Sequence, residues 1–135
     1  MATVRLEFTP EPVYVRTARL VGVAVARRAG LPEDRLDEVR QAIGEACGRA
    51  VTRHLRHNLR EPVLVEMLDE NPYTVLVTDR APDDAASDME EEITVEASLA
   101  LLSGVAEELE VRQAPDGAGS VVRMSWTARP HRARR

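Results

Sequence analysis

Apolar and polar residues alternate along Val4-Arg5-Leu6-Glu7-Phe8, the period of a strand with one buried face. Thr9-Pro10-Glu11-Pro12 breaks that pattern. Residues 13–29 then read as a helix closed by Gly30. Leu31-Pro32-Glu33-Asp34 opens a second helix, with a proline and two acids where the helix dipole favours negative charge. Leu36, Val39, Ile43, Ala46 or Cys47, Ala50 and Leu55 recur at helical spacing and carry that helix to about His57. Val63 to Leu68 and Tyr73 to Asp79 read as strands joined through Asn71-Pro72, a hairpin. Residues 80–92 are polar and read as a loop. Val95, Leu99, Leu102, Ala106 and Leu109 mark a third helix. Glu110 to Gln113 starts a strand, Pro115-Asp116-Gly117 is a turn, and Ser120 to Thr127 is the last strand, with Val122, Met124 and Trp126 on one face.

The order is β-α-α-β-β-α-β-β. Without strict βαβ alternation it predicts an α+β, two-layer sandwich. A mixed or antiparallel sheet of about five strands carries three helices on one face. The 135 residues fit one domain, taken as residues 1–128, followed by an Arg-rich tail at 129–135 with no large apolar residue to order it.

Composition narrows the chemistry. Every one of the 18 basic residues is Arg, which excludes a Lys nucleophile, Schiff base or phosphate-binding Lys. One Trp, one Phe and two Tyr are too few for a base-stacking single-strand binder. A formal charge of −5 argues against a nucleic-acid-binding body, and the basic tail alone does not reverse that. Cys47 is the single cysteine, so no internal disulfide or multi-Cys zinc site forms. The N-terminus does not read as a signal peptide, and Leu20 to Ala26 is far too short to span a membrane. A cytoplasmic, soluble protein is the expectation.

Taken singly, the candidate residues have ordinary readings. Cys47 suits the apolar face of the second helix as a small core residue. His54 and His57 lack a nearby third metal ligand and read as surface histidines; no metal site is expected. Glu45 and Arg49 stand at i and i+4, acid before base, which favours an ion pair. Arg16 and Arg19 share a face of the first helix. Asp83, Asp84, Asp88, Glu90, Glu91, Glu92 and Glu96 form an acidic stretch without a base.

Read together, the motifs resemble a known family. Glu45-Ala46-Cys47-Gly48-Arg49-Ala50-Val51 is similar to the N-box Glu-Ala-Cys-Thr-Asn-Ala-Val of GHKL ATPases, and within them of the anti-sigma-factor serine kinases of bacterial partner switching. Asp79-Arg80-Ala81-Pro82-Asp83 stands where that family has Asp-x-Gly-x-Gly. Glu96-Ala97-Ser98-Leu99 stands where it has Gly-x-Gly-Leu, and Gly119-Ser120-Val121-Val122-Arg123-Met124 resembles its closing Gly-Thr-x-Val-x-Met. Leu6-Glu7-Phe8 and Ala18-Arg19 also match, so the resemblance covers nearly the whole chain.

The resemblance assigns Glu45 to the general base and Asp79 to the carboxylate that recognises the adenine amino group. It also shows a degenerate nucleotide pocket. Arg49 replaces the magnesium-holding Asn, and a permanent cation cannot ligate a metal. Ala81, Asp83, Glu96 and Ser98 replace the four glycines that let backbone approach the nucleotide. The implied protein is a homodimeric, anti-sigma-factor-like regulator that has lost ATP and magnesium, a pseudokinase rather than a kinase. Its partners would be a sigma factor or a STAS-type antagonist, met partly through Arg16 and Arg19. Glu45 would be a vestigial base, with the Arg49 guanidinium paired to it in place of the metal. The alternatives are an active ATP-dependent serine kinase and a ligand sensor reusing the pocket.

Overall fold

The computed structural model describes residues 2–82, 100–115 and 117–128. The chain runs through β1 (Ala2–Phe8), a 3-10 turn (Pro12–Tyr14), α1 (Val15–Arg28), α2 (Glu33–Arg56), β2 (Val63–Asp69) and β3 (Tyr73–Asp79). A helical stretch at residues 100–105 (α3), β4 (Glu108–Gln113) and β5 (Ser120–Trp126) follow. One five-stranded sheet has the order β1-β2-β3-β5-β4, and all four pairings are antiparallel. Among the described residues no helix is long and apolar enough to cross a membrane. The architecture is the α+β two-layer sandwich that the element order predicts.

One parity of each strand builds the core. Leu6, Val65, Val77 and Val122 are successive partners across the sheet, and the last three are buried against α1 and α2. α2 supplies the longest apolar stripe, with Leu36, Val39, Ile43, Ala46, Cys47 and Ala50 buried. The stripe then continues through His54, not through Leu55, which is 53% exposed. Four residues after Ala50 the helix has returned to its buried face, and five residues after it has passed beyond. α1 approaches closely because its inner face is small: Ala18, Gly22 and Ala26 are buried, and a Cβ on Gly22 would overlap Ile43 Cδ1. Gly30 (φ 99°) ends α1 in a left-handed residue. The Leu31 N–H donates to the Ala26 carbonyl (3.1 Å) and Gly30 N–H to Arg27 (3.1 Å), the paired bonds of a Schellman cap.

The two largest aromatics each use a polar handle to lock layers together. Tyr73 stacks on Trp126 with centroids 6.1 Å apart, and its hydroxyl donates to the Gly22 carbonyl of α1 (2.7 Å). Trp126 Nε1 donates to the Val105 carbonyl at the end of α3 (2.8 Å).

Three local expectations are corrected. Pro12, Val13 and Tyr14 form a 3-10 turn ahead of α1 instead of its first turn. Leu109, read as the end of the third helix, lies in β4 opposite Met124, and β4 starts at Glu108. Glu108-Leu109-Glu110-Val111 alternates, and pairing with β5 decides in favour of the strand. His54 is fully buried, not a surface histidine. The expected helix positions Val95 and Leu99, and the 129–135 tail, lie outside the described residues.

His54 ties the end of α2 to both flanking segments. Its Nε2 accepts the Arg80 backbone N–H (2.8 Å), so Nδ1 carries the proton and donates to the Glu61 carbonyl (2.9 Å). Burial lowers its pKa below the usual 6.5, helped by Arg53 and opposed by Asp79 and Glu61. Charging the ring would also set an N–H against the Arg80 N–H. The unfolded chain therefore binds this proton at higher pH than the folded one. The His54 contribution is intact above about pH 6.5 and declines as pH falls through the folded pKa. Urea midpoints at pH 7.5 and 5.5 are predicted to drop on acidification for the wild type and to drop less for His54→Leu. Equal slopes for the two proteins contradict this.

Candidate functional site

The C-terminal half of α2 faces the ends of β3 and β5. Arg49 and Arg53 are one turn apart and share that face. Asp79 closes β3 and is the register partner of Ser120, the first residue of β5. Gly119 makes this junction possible. It holds φ 97°, and a Cβ there would overlap the Asp79 carbonyl oxygen and lie 2.7 Å from Arg80 Cα. Only glycine fits both the left-handed backbone and the close approach.

Asp79 is 1% exposed, and both oxygens of its carboxylate accept hydrogen bonds from its own chain. Oδ2 accepts Ser120 Oγ–H (2.7 Å), Arg53 Nε (3.2 Å) and Arg49 Nη1 (3.5 Å). Oδ1 accepts the Ala81 backbone N–H (3.0 Å). Arg53 Nη2 also donates to the Ala81 carbonyl (3.2 Å), and Arg49 Nη1 to Ser120 Oγ (3.3 Å). Two guanidinium groups, a hydroxyl and a backbone amide thus converge on one buried carboxylate. Burial lowers the Arg49 pKa first, with neighbouring Arg53 adding to the effect and Asp79 opposing it. Arg49 Nε is buried with no hydrogen-bond partner among the described residues.

The structure corrects one pairing and brings out two residues. The Arg49 ion pair runs to Asp79, not to Glu45 one turn earlier. Arg49 is 9% exposed and turned inward, where the buried carboxylate is a stronger partner than a half-buried one on the same helix. Asp79, which the resemblance would make the adenine-recognising carboxylate, is the hub of these contacts. Arg53 and Ser120 were not singled out from sequence. The i, i+4 relation of Arg53 to Arg49 was the available signal. Ala81 is fully buried beside Asp79. Asp83, Glu96 and Ser98, with the acidic stretch between them, lie outside the described residues.

The other candidates sit on α1 and α2. Cys47 is fully buried, and burial pushes its thiol up to about 12 against a smaller opposing effect of Arg19, so it is no nucleophile at neutral pH. Arg19 lies across Gly44, so close that a Cβ there would sit 3.0 Å from its Cδ and 3.1 Å from Nη1. It is half-buried in the α1–α2 seam, whereas Arg16 is exposed. Among the described residues no group of three or more His, Cys, Asp or Glu side chains is placed to hold a metal ion.

Removing one partner of a buried ion pair leaves an uncompensated charge and costs about 3–5 kcal/mol, while the intact pair is near break-even against apolar replacements. Asp79→Asn strands two cations. Arg49→Met removes a poorly satisfied one and leaves Asp79 its Arg53, Ser120 and Ala81 donors. Denaturant unfolding is predicted to show a loss of about 3 kcal/mol or more for Asp79→Asn and less than about 1 kcal/mol for Arg49→Met. Equal losses contradict the hub role of Asp79.

A family model for a histidine kinase-like ATPase domain matches residues 8–126, from the last residue of β1 to the last of β5. No curated protein matches the chain. The match spans most of the sequence and every described element from α1 to β5, and the chain belongs to the histidine kinase-like ATPase domain family.

Proposed function

We propose that the protein is an anti-sigma-factor-like regulator that works by holding a protein partner, a sigma factor or a STAS-type antagonist, without nucleotide or kinase chemistry. One observation carries this reading. Asp79, which by resemblance would recognise the adenine amino group, is buried and already accepts hydrogen bonds from Arg49, Arg53, Ser120 and Ala81. To bind adenine there, a nucleotide must reach a carboxylate that is 1% exposed and compete with these donors, and displacing a guanidinium leaves it buried and unpaired. The Arg at position 49 also brings a cation, not a ligand, to the place of the family's magnesium-holding Asn. Glu45 then has no activated phosphoryl group to serve, and its role as general base lapses.

Partner binding falls to the surface. On α1 and the turn before it, exposed Arg16 is flanked by Val13 and Leu20, 67% and 60% exposed. An Arg among apolar side chains matches the composition of binding hot spots. Arg19 contributes from the seam with α2, where its stem packs on Gly44 and its charge stays partly accessible. Control by partner competition follows from mass action and needs no phosphotransfer.

Affinity capture from the native host with the tagged full chain, read by mass spectrometry, is predicted to recover a sigma factor or a STAS-domain protein in buffer without nucleotide. Arg16→Glu is predicted to weaken that complex at least about tenfold while leaving thermal stability unchanged. Recovery that requires ATP, or Arg16→Glu and Arg19→Glu variants that both bind as well as wild type, would overturn the proposal.

A further inference from the structure

The five-stranded sheet ends on two edge strands, β1 and β4. β1 pairs with β2 over its whole length, from Ala2 opposite Asp69 to Phe8 opposite Val63, without a bulge. In an antiparallel pair, alternate residues of an edge strand aim their N–H and C=O away from the sheet. Among the described residues no hydrogen bond reaches those groups in β1. Proteins commonly guard such an edge with a bulge, a proline or a charge on the inward face. β1 has none of these: its inward residues are Val4, Leu6 and Phe8, and the first proline is Pro10.

The helical layer stops short of this edge. α1 packs against β2, and Val4 and Leu6 stay only partly buried. Where β1 ends, the 3-10 turn and α1 stand off from the strand. They leave a groove of about 400 Å³ lined by Leu6, Glu7, Phe8, Thr9, Tyr14 and Thr17. Tyr14 is 41% exposed there. On the other side of the sheet β1 carries Thr3, Arg5 and Glu7. Arg5 and Glu7 are exposed and make no ion pair among the described residues.

We infer that the β1 edge takes an extended segment of another protein as an added strand of the sheet. Main-chain hydrogen bonds hold such a strand, and the side chains beside the edge select it. The segment has apolar residues at alternate positions, turned to the helical side. A large one, Leu, Ile or Phe, stands beside Phe8 and fills the groove. Between them the segment has an acid across from Arg5 and a base across from Glu7, the opposite-charge pairs that favour directly facing residues. β1 itself alternates in this way, so a second copy is the competing occupant. Its charges match when two β1 strands run antiparallel about Leu6. That register sets Val4 of the partner subunit beside Phe8, and a valine leaves much of the groove without contacts. The groove therefore favours a different protein with a larger side chain at that point.

The probe is the synthetic peptide Thr-Leu-Arg-Ile-Glu-Leu-Thr. In an antiparallel pairing it places Leu beside Phe8, Arg across from Glu7 and Glu across from Arg5. Its binding to the purified chain involves no sigma factor or STAS protein, so this result and that of partner capture stand apart. Fluorescence anisotropy is predicted to show saturable binding at sub-millimolar peptide. Amide hydrogen exchange is predicted to slow at residues 2–8 and to stay unchanged at 108–113, the other edge. N-methylation of the peptide at alternate residues is predicted to abolish binding in one phase and spare it in the other, because only one edge of the added strand faces β1. Glu7→Arg, at an exposed position, is predicted to weaken this peptide at least about threefold and to favour the version with Glu in place of Arg. Absence of saturable binding overturns the inference. So does protection at 108–113 instead of 2–8, an equal effect of the two methylation phases, or a Glu7→Arg variant indifferent to peptide charge. Apparent affinity that falls as protein concentration rises assigns the edge to a second copy and overturns it as well.

Discussion

The buried carboxylate of Asp79 is the constraint around which one end of this molecule is arranged. At 1% exposure it has no solvent to satisfy it, so the chain must bring donors to it. They come from every neighbouring element: Arg49 and Arg53 from α2, Ser120 from β5, and the Ala81 backbone from the turn leaving β3. Three of these constraints depend on each other. Gly119 must be glycine for β5 to reach Asp79, Ser120 must follow it to donate, and α2 must run long enough to present Arg53. His54, one residue beyond Arg53, holds the next backbone amide at Arg80 and closes the same corner from behind.

This arrangement changes what the degenerate motif residues mean. By resemblance alone, Arg49 and the replaced glycines describe only what a nucleotide pocket would lack. The structure adds a positive statement about the region between α2 and β3: its carboxylate is occupied by protein. The two arginines repel each other and are held together by the acid between them, so the three form one unit in which the acid is the member that cannot be replaced at low cost. The fold spends this carboxylate on its own cohesion, and the proposed function accordingly rests on surfaces.

Much of the fold was legible in the chain because its signals were local. The 3.6-residue stripe of α2, the Gly30 stop, the β-branched run of β3 and the Val122, Met124, Trp126 face each depend on neighbours in sequence, and each stands in the structure. The errors fell where long-range pairing decides. Leu109 fits a helical spacing and a strand alternation equally, and only β5 selects the strand. Leu55 and His54 exchanged places because a polar residue on the apolar face looks like a mismatch until its two backbone partners, Glu61 and Arg80, are seen. Glu45 and Arg49 make a natural i, i+4 pair on the helix. Only the fold brings Asp79 from thirty positions away to take the guanidinium. A site built from separate elements carries no single spacing by which sequence can find it.

The most direct measurement of the central claim is isothermal calorimetry of the 135-residue chain with ATP, with and without magnesium. If Asp79 is held by Arg49, Arg53, Ser120 and Ala81, titration to millimolar nucleotide shows no saturable binding, with or without the metal. Saturable, magnesium-dependent binding of ATP at micromolar concentration would show that the corner opens to nucleotide and would contradict the account.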